Sequence, residues 1–251
     1  MSSPTETPGL ITLDVVLLLP ADARVTAVAS SRELARRMTA GGSRSHFLLG
    51  EPFPGPEGGC CEPHVSLFML CVTPAEVAGV VDQVRSVAAT TAPLAVTGSE
   101  YRHNPWGAPE LYYARSPDWF TLQDRVVRAV EPLRRGRLRD VDPAGRPLRD
   151  AGALTGQPGS TEADAAGQVR RYGYDEVTDD LADRFHPHVT LAWPDDPASR
   201  VDLSGLAAAD AYSGTLSKLA VFGMSPWGTC TTPFGAFTFT GAAAQPAAAD
   251  H

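Results

Sequence analysis

Two five-residue segments of this chain, 124 positions apart, are near copies of each other: residues 63–67 read PHVSL and residues 187–191 read PHVTL. Each lies in a short apolar stretch of the kind that predicts a β-strand. A polar pair inside an apolar strand costs free energy unless it is partnered, so its close duplication needs a common reason. The fold must therefore hold two similar strands, each carrying a histidine and a hydroxyl residue.

Strand geometry assigns these side chains to faces. Residues i and i+2 of a strand point the same way, so His64 lies beside Ser66 and His188 beside Thr190, while the valines and leucines point to the opposite face. A lone copy would be adequately explained as a satisfied core histidine, but two copies favour a shared site.

The rest of the sequence predicts a mixed α+β fold, without the strict alternation of a doubly wound sheet. Strands are predicted at residues 12–19, 46–49, 63–72, 94–96, 110–114, 188–193, 215–222 and 235–240. Helices are predicted at 30–39, with Ser30 or Ser31 as N-cap, at 74–88 and 117–133, and weakly at 203–210.

The length of 251 residues and the local composition indicate one domain with irregular segments at both ends and in its interior. Residues 1–9 are rich in Ser, Thr and Pro, and residues 241–251 are rich in Ala, so both are expected to be disordered ends. Residues 136–184 combine Gly, Pro and many charges with little periodicity, which indicates an insertion or lid. The single domain is expected to span residues 10–240.

A formal net charge of −8 disfavours sequence-independent binding to long nucleic acid. Four cysteines are too few for a disulfide framework at this length, which favours a reduced, cytoplasmic protein. The longest apolar run, residues 15–20, is too short to cross a bilayer, and no signal peptide is evident. We expect a monomer with no membrane partner.

The twin motifs resemble those of the two-histidine (2H) phosphoesterase superfamily, the LigT-like or 2′-5′ RNA ligase-like proteins. The order of elements around them is also similar, over about residues 10–135 and 185–240. The resemblance implies a bilobed LigT-like fold, in which two antiparallel-sheet lobes with pseudo-two-fold symmetry face each other across a central cleft, with helices outside.

The same resemblance implies an enzyme, a cyclic phosphodiesterase that needs no metal or other cofactor. His64 and His188 would be catalytic, and Ser66 and Thr190 would bind phosphate. The expected substrate is a 2′,3′-cyclic phosphate or a 2′-5′ phosphodiester of a small nucleotide or RNA end. Two alternatives stay open: a non-catalytic module that binds a phosphorylated ligand, and a recruited enzyme acting on a non-nucleotide phosphoester or specialised metabolite.

The chemistry fits that implication. Hydrolysis of a cyclic phosphodiester needs a base for water and an acid for the leaving oxygen, and imidazole titrates near neutral pH. Hydroxyl groups can donate to the phosphate oxygens, where negative charge accumulates in the transition state. The sequence leaves open which histidine is the base.

Further residues are candidates for substrate binding. Tyr112, Tyr113, Arg102 and Trp106 offer aromatic faces and a cation near the cleft, and only one of the adjacent tyrosines can face it. His186 is expected at the cleft rim. His186 and His188 could also form a metal pair with the thiols of residues 60–61, but no Cys-x-x-Cys spacing supports it, and we expect no metal.

Overall fold

The computed structural model describes residues 9–54, 58–137 and 185–242. The expectations for the N-terminus (1–9), the insertion (136–184) and the tail (241–251) fall almost entirely on residues 1–8, 138–184 and 243–251, which lie outside this range. The described residues form nine β-strands and three α-helices in an α+β arrangement with antiparallel sheets, as the sequence predicts. The strands are β1 Ile11–Leu18, β2 His64–Val72, β3 Leu94–Val96, β4 Gly98–His103, β5 Pro109–Tyr113, β6 His188–Thr190, β7 Gly214–Leu216, β8 Lys218–Met224 and β9 Cys230–Thr238. The helices are α1 Ala21–Ala40, α2 Val77–Ala89 and α3 Pro117–Arg134.

The larger sheet has the strand order β2-β1-β8-β9, with every neighbouring pair antiparallel. Helices α2 and α3 pack against it and against each other. The pairing of β1 with β2 skips Leu67, because Val15 lies opposite Phe68 and Val16 opposite Ser66. This bulge falls on Leu67, the last residue of the first motif, where it changes the strand's alternation. The Leu67 carbonyl accepts a hydrogen bond from the buried Gln123 amide of α3.

The smaller sheet has the order β4-β5-β6, and β6 carries the second motif. A two-stranded ribbon pairs β3 with β7. Buried side chains of the four-stranded and the three-stranded sheet belong to one contiguous hydrophobic cluster. It includes Leu13 and Val65 of the four-stranded sheet and Leu111 and Val189 of the three-stranded sheet. Burying each such side chain contributes about 1.5–3 kcal/mol, so the cluster holds the two sheets together.

Several predicted elements differ from the observed ones. Helix α1 begins at Ala21, directly after Pro20, so Ser30 and Ser31 are not its N-cap. They are buried within the helix, where Ser30 Oγ accepts a hydrogen bond from the Tyr212 hydroxyl and Ser31 Oγ accepts one from the Leu49 amide. These long-range partners explain two polar residues on its buried face.

Two predicted elements are absent from the described residues, and one strand was missed. Residues 46–49 form no strand, although neighbouring Ser45 makes a single bridge to Pro194. The weak helix at 203–210 is wrong, and a short 3-10 turn lies at Ala209–Tyr212 instead. Residues 98–103, where no strand is predicted, form β4. Strand β6 ends at Thr190, three residues before its predicted end. Strand β9 begins at Cys230, five residues before its predicted start.

Within the described ranges, no helix is both long enough and apolar enough to cross a membrane.

Candidate active site

The first motif forms a small group of polar side chains on β2 and β1. The His64 Nδ1 atom lies 2.6 Å from the Glu62 carbonyl oxygen. Because a carbonyl only accepts, Nδ1 must carry the proton, and the lone pair of the neutral ring is on Nε2. That Nε2 lies 3.8 Å from the buried Asp14 carboxylate. Ser66 donates a 2.6 Å hydrogen bond to the same Asp14 oxygen.

The second motif repeats this arrangement on β6 and β5. His188 Nδ1 lies 2.8 Å from the His186 carbonyl oxygen, and its Nε2 lies 3.8 Å from the Glu110 carboxylate. The Thr190 hydroxyl donates to the same Glu110 oxygen at 3.4 Å. Glu110 is opposite Thr190 in the sheet register, and it is almost completely buried.

The two groups are equivalent parts of two different sheets. In each, a backbone carbonyl two residues earlier fixes the imidazole, and a carboxylate from the neighbouring strand accepts a bond from the motif hydroxyl. Strands β2 and β6 lie against each other. Roughly one-tenth of each histidine side chain stays exposed, at 12% for His64 and 11% for His188. The structure therefore brings the two motifs onto adjoining strands.

The two groups differ in what else surrounds the carboxylate. Glu110 accepts further hydrogen bonds from the Asn104 amide at 2.8 Å and the Tyr112 hydroxyl at 2.6 Å. Asp14 instead has the buried Cys230 thiol nearby, with the sulfur 3.8 Å from Asp14 Oδ2 and 3.5 Å from His64 Nε2. The carboxylate beside His188 is thus held by neutral donors, and the one beside His64 faces a thiol.

The surroundings also decide which forms of these groups are charged. Burial lowers the pKa of His64, the Glu62 carbonyl and carboxylate raise it, and the charge of His188 lowers it again, with a net decrease from 6.5. Burial, followed by the Asp14 charge, raises the pKa of the Cys230 thiol well above its usual value. At neutral pH, His64 is therefore a neutral imidazole and Cys230 a protonated thiol.

The other predicted site residues lie at different distances from the motifs. The Tyr112 ring centre is 5.4 Å from that of His188, and the Arg102 guanidinium lies 5.4 Å over the Tyr112 ring while pairing with Glu100. Tyr113 is buried with its ring against Trp119, so Tyr112 is the tyrosine that neighbours the motif.

His186 is half-buried, and its carbonyl holds His188. Trp106 belongs to a group of four aromatic rings, which we call the aromatic cluster. His46 stacks on Trp227 with ring centres 3.5 Å apart, Trp193 lies 6.3 Å from Trp227, and Trp106 lies 6.0 Å from Trp193. Because Trp193 follows β6 and Trp227 precedes β9, the cluster joins the ends of the two larger sheets.

Sequence reasoning missed the two carboxylates and the thiol. A signal for Asp14 was present, since it is a lone acidic residue in the apolar strand TLDVVLLL. Glu110 stands likewise between apolar neighbours at 108–113. For Cys230 there was no local signal, because it reaches the site through a hydrogen bond from the Glu62 amide to its carbonyl, across 168 positions of sequence.

Comparisons with known proteins give matches among solved structures. No family model and no curated protein sequence matches the chain. Escherichia coli LigT complexed with NADP+ is 12% identical with a TM-score of 0.48, covering 92% of this chain and 99% of the other. The same protein complexed with 3′-AMP is 14% identical, with a TM-score of 0.47 and the same coverage. A structure described as a phosphoesterase is 14% identical, with a TM-score of 0.45, and covers 93% and 99% of the two chains.

Proposed function

We propose that this chain is a two-histidine phosphoesterase. It would hydrolyse a 2′,3′-cyclic phosphate or a 2′-5′ phosphodiester of a small nucleotide or RNA end, with no metal ion taking part. The observation that carries the proposal is the duplicated group: two imidazoles on adjoining strands, each fixed through Nδ1 to a backbone carbonyl and each with Nε2 as its reactive nitrogen.

In the proposed mechanism His64 is the general base and His188 the general acid. Burial and the neighbouring charge of His188 keep His64 neutral, which is the form that accepts a proton from the attacking water. His188 would donate its proton to the leaving oxygen, and the Glu110 carboxylate 3.8 Å from its Nε2 would orient the ring. Each carboxylate acts through its histidine and is a positioning residue.

The hydroxyls of Ser66 and Thr190 would bind the non-bridging phosphate oxygens. A hydroxyl has one proton, and both are directed at carboxylates in this structure. We infer that each hydroxyl rotates from its carboxylate to the phosphate when substrate binds, which exchanges one charge-assisted hydrogen bond for another. The 3.4 Å bond of Thr190 is the weaker of the two and would be exchanged more readily.

The test is turnover of a panel of 2′,3′-cyclic nucleotides, with a chelator present, by the wild type and by His64→Gln and His188→Gln. Each substitution removes a proton-transfer group, so kcat should fall by about a hundredfold or more. The matched control is His103→Gln, which removes an imidazole at the end of β4 that belongs to neither motif. It should change kcat less than about threefold, because it removes no group that is proposed to transfer a proton.

Turnover that persists in either motif variant would overturn paired-histidine catalysis. A wild type that binds cyclic nucleotides without converting them would instead favour the binding module.

A further inference from the structure

Asp14, His64 and Cys230 bring together three chemically different metal ligands at one point. Asp14 Oδ2, His64 Nε2 and Cys230 Sγ all lie within 4.8 Å of one another. The separations are 3.5 Å for sulfur to nitrogen, 3.8 Å for nitrogen to oxygen and 3.8 Å for sulfur to oxygen. A tetrahedral zinc ion with its ordinary bond lengths sets these three edges at roughly 3.3–3.6 Å. The existing triangle needs to contract by only a few tenths of an ångström.

The surroundings of the three atoms are those of a metal site. His64 donates its other ring nitrogen to the Glu62 carbonyl, which fixes the tautomer whose Nε2 can bind an ion. Ser66 donates to the Asp14 oxygen and so orients the carboxylate. Asp14 and Cys230 are completely buried, and His64 retains some exposure, so an ion would have one open position on the His64 side.

Charge favours a divalent ion in this position. One carboxylate and one thiolate together carry two negative charges. These neutralise the two positive charges of Zn²⁺ and permit burial of the complex. Thiolate and imidazole are ligands that zinc prefers over magnesium or calcium. On binding, the Cys230 thiol loses its proton to solvent and the sulfur forms the bond to the metal.

The equivalent group around His188 lacks this capacity. Its carboxylate oxygens already accept bonds from the Asn104 amide and the Tyr112 hydroxyl, and no thiol accompanies them among the residues that the structure describes. The two groups match in their histidine, hydroxyl and carboxylate. The thiol beside His64 is the difference that duplication of the motif does not explain.

We propose that Asp14, His64 and Cys230 form a zinc-binding site. Bound zinc occupies the Nε2 lone pair of His64, and it therefore inhibits the phosphoesterase reaction, a consequence that rests on the proposed function. The ion is thus an inhibitory ligand of one half of the site, and it takes no part in catalysis.

Binding is measured apart from activity, on the full chain without an affinity tag. Metal-free protein is titrated with Zn²⁺ by calorimetry and with Co²⁺ by absorption. We expect one ion per chain and a thiolate-to-cobalt charge-transfer band in the near ultraviolet. Cys230→Ser should abolish the band, and both it and Asp14→Asn should weaken zinc binding by roughly a hundredfold or more, since even an outer partner of a ligand is worth about 10–100-fold.

Matched controls separate this site from other thiols. Cys71→Ser removes an equally buried thiol of β2, Cys60→Ser removes the exposed one, and both should keep the band. His188→Gln should keep zinc binding and lose turnover, so failure of one proposal is distinguishable from failure of the other. A wild type without the cobalt band, or zinc affinity unchanged in both Cys230→Ser and Asp14→Asn, would overturn the site. Absence of the band from the wild type overturns the site even if a variant does not fold.

Discussion

At the scale of single residues, the site depends on two buried carboxylates placed against two imidazoles. Asp14 and Glu110 each accept a motif hydroxyl and lie 3.8 Å from a histidine Nε2. A buried carboxylate is costly without donors, and the motif hydroxyls supply one donor to each. The two histidines share this immediate geometry and differ in their wider surroundings, since the Cys230 sulfur lies 3.5 Å from His64 Nε2.

The burial of His64 makes folding stability depend on pH. Its folded pKa lies below 6.5, while in the unfolded chain it titrates near 6.5, so between these values the unfolded state binds more protons. Stability must then fall as pH decreases through 6.5 toward the folded pKa, by about 1.4 kcal/mol for each pH unit between the two pKa values. His64→Gln should remove this loss, measured as the difference between the urea unfolding curves of wild type and variant at each pH.

Thr12→Val is the matched control for this prediction. It removes a hydroxyl of β1 that lies 3.7 Å from the Cys71 sulfur, without removing a titrating group or the hydroxyl that donates to Asp14, so its stability should change with pH in parallel with the wild type. The groups that face His64 are Asp14, Glu62, His188 and Cys230. A wild type and a His64→Gln variant whose stability declines equally on acidification would contradict the depressed pKa.

The sequence identified site residues that belong to the duplicated motif, and it did not identify those that contact the motif only in the folded structure. The duplicated motif identifies His64, Ser66, His188 and Thr190 because its two copies can be compared with each other. Cys230 occurs once and meets His64 only through strand pairing, a contact that no local pattern encodes. The roles of these four motif residues stay predictions, and the turnover experiment is their test.

At the scale of secondary-structure elements, apolar periodicity located the buried elements well and the polar ones poorly. The valine stripe of α2 and the apolar run of β1 are both observed close to their predicted bounds. Strand β4, with the sequence GSEYRH, was missed because its outer positions are polar and exposed. The early start of α1 was missed because no side chain caps it. In both cases tertiary pairing, and not local preference, determines the structure.

The turn between β8 and β9 contains a residue in an unfavourable conformation. Trp227 has φ 70° and ψ 18°, in the left-handed region that costs a non-glycine residue about 1–2 kcal/mol. Its stacking on His46 compensates for that cost. Trp227→Ala removes the aromatic ring and keeps the cost of the left-handed conformation. Trp227→Gly removes the ring and that cost as well. We therefore expect the glycine variant to be more stable than the alanine variant by about 1 kcal/mol, measured by chemical denaturation.

Both variants should be less stable than the wild type, because both lose the aromatic contact. An alanine variant as stable as the glycine variant, or more so, would show that the turn relaxes out of the left-handed region once the ring is removed.

At the scale of the whole molecule, the net charge of −8 opposes the approach of a polyanion. Kinetics with a long RNA ending in a 2′,3′-cyclic phosphate should therefore show kcat/KM rising as ionic strength increases from about 0.01 to about 0.15 M, because the screening length falls from about 30 to about 8 Å. A cyclic mononucleotide carries one charge and should respond less. Steeply falling kcat/KM on the RNA with added salt, as for basic RNA-binding proteins, would contradict this prediction.

The distribution of the motifs over two sheets has a consequence for how such a protein can diversify. Each histidine is fixed within its own sheet, so the gap between the imidazoles is set where β2 meets β6 and where Trp193 meets Trp227. A change in the size of these tryptophans, or of the side chains between the sheets, would widen or narrow the gap. A descendant could thus come to accept a larger or smaller ligand through core substitutions alone, with all four motif residues unchanged.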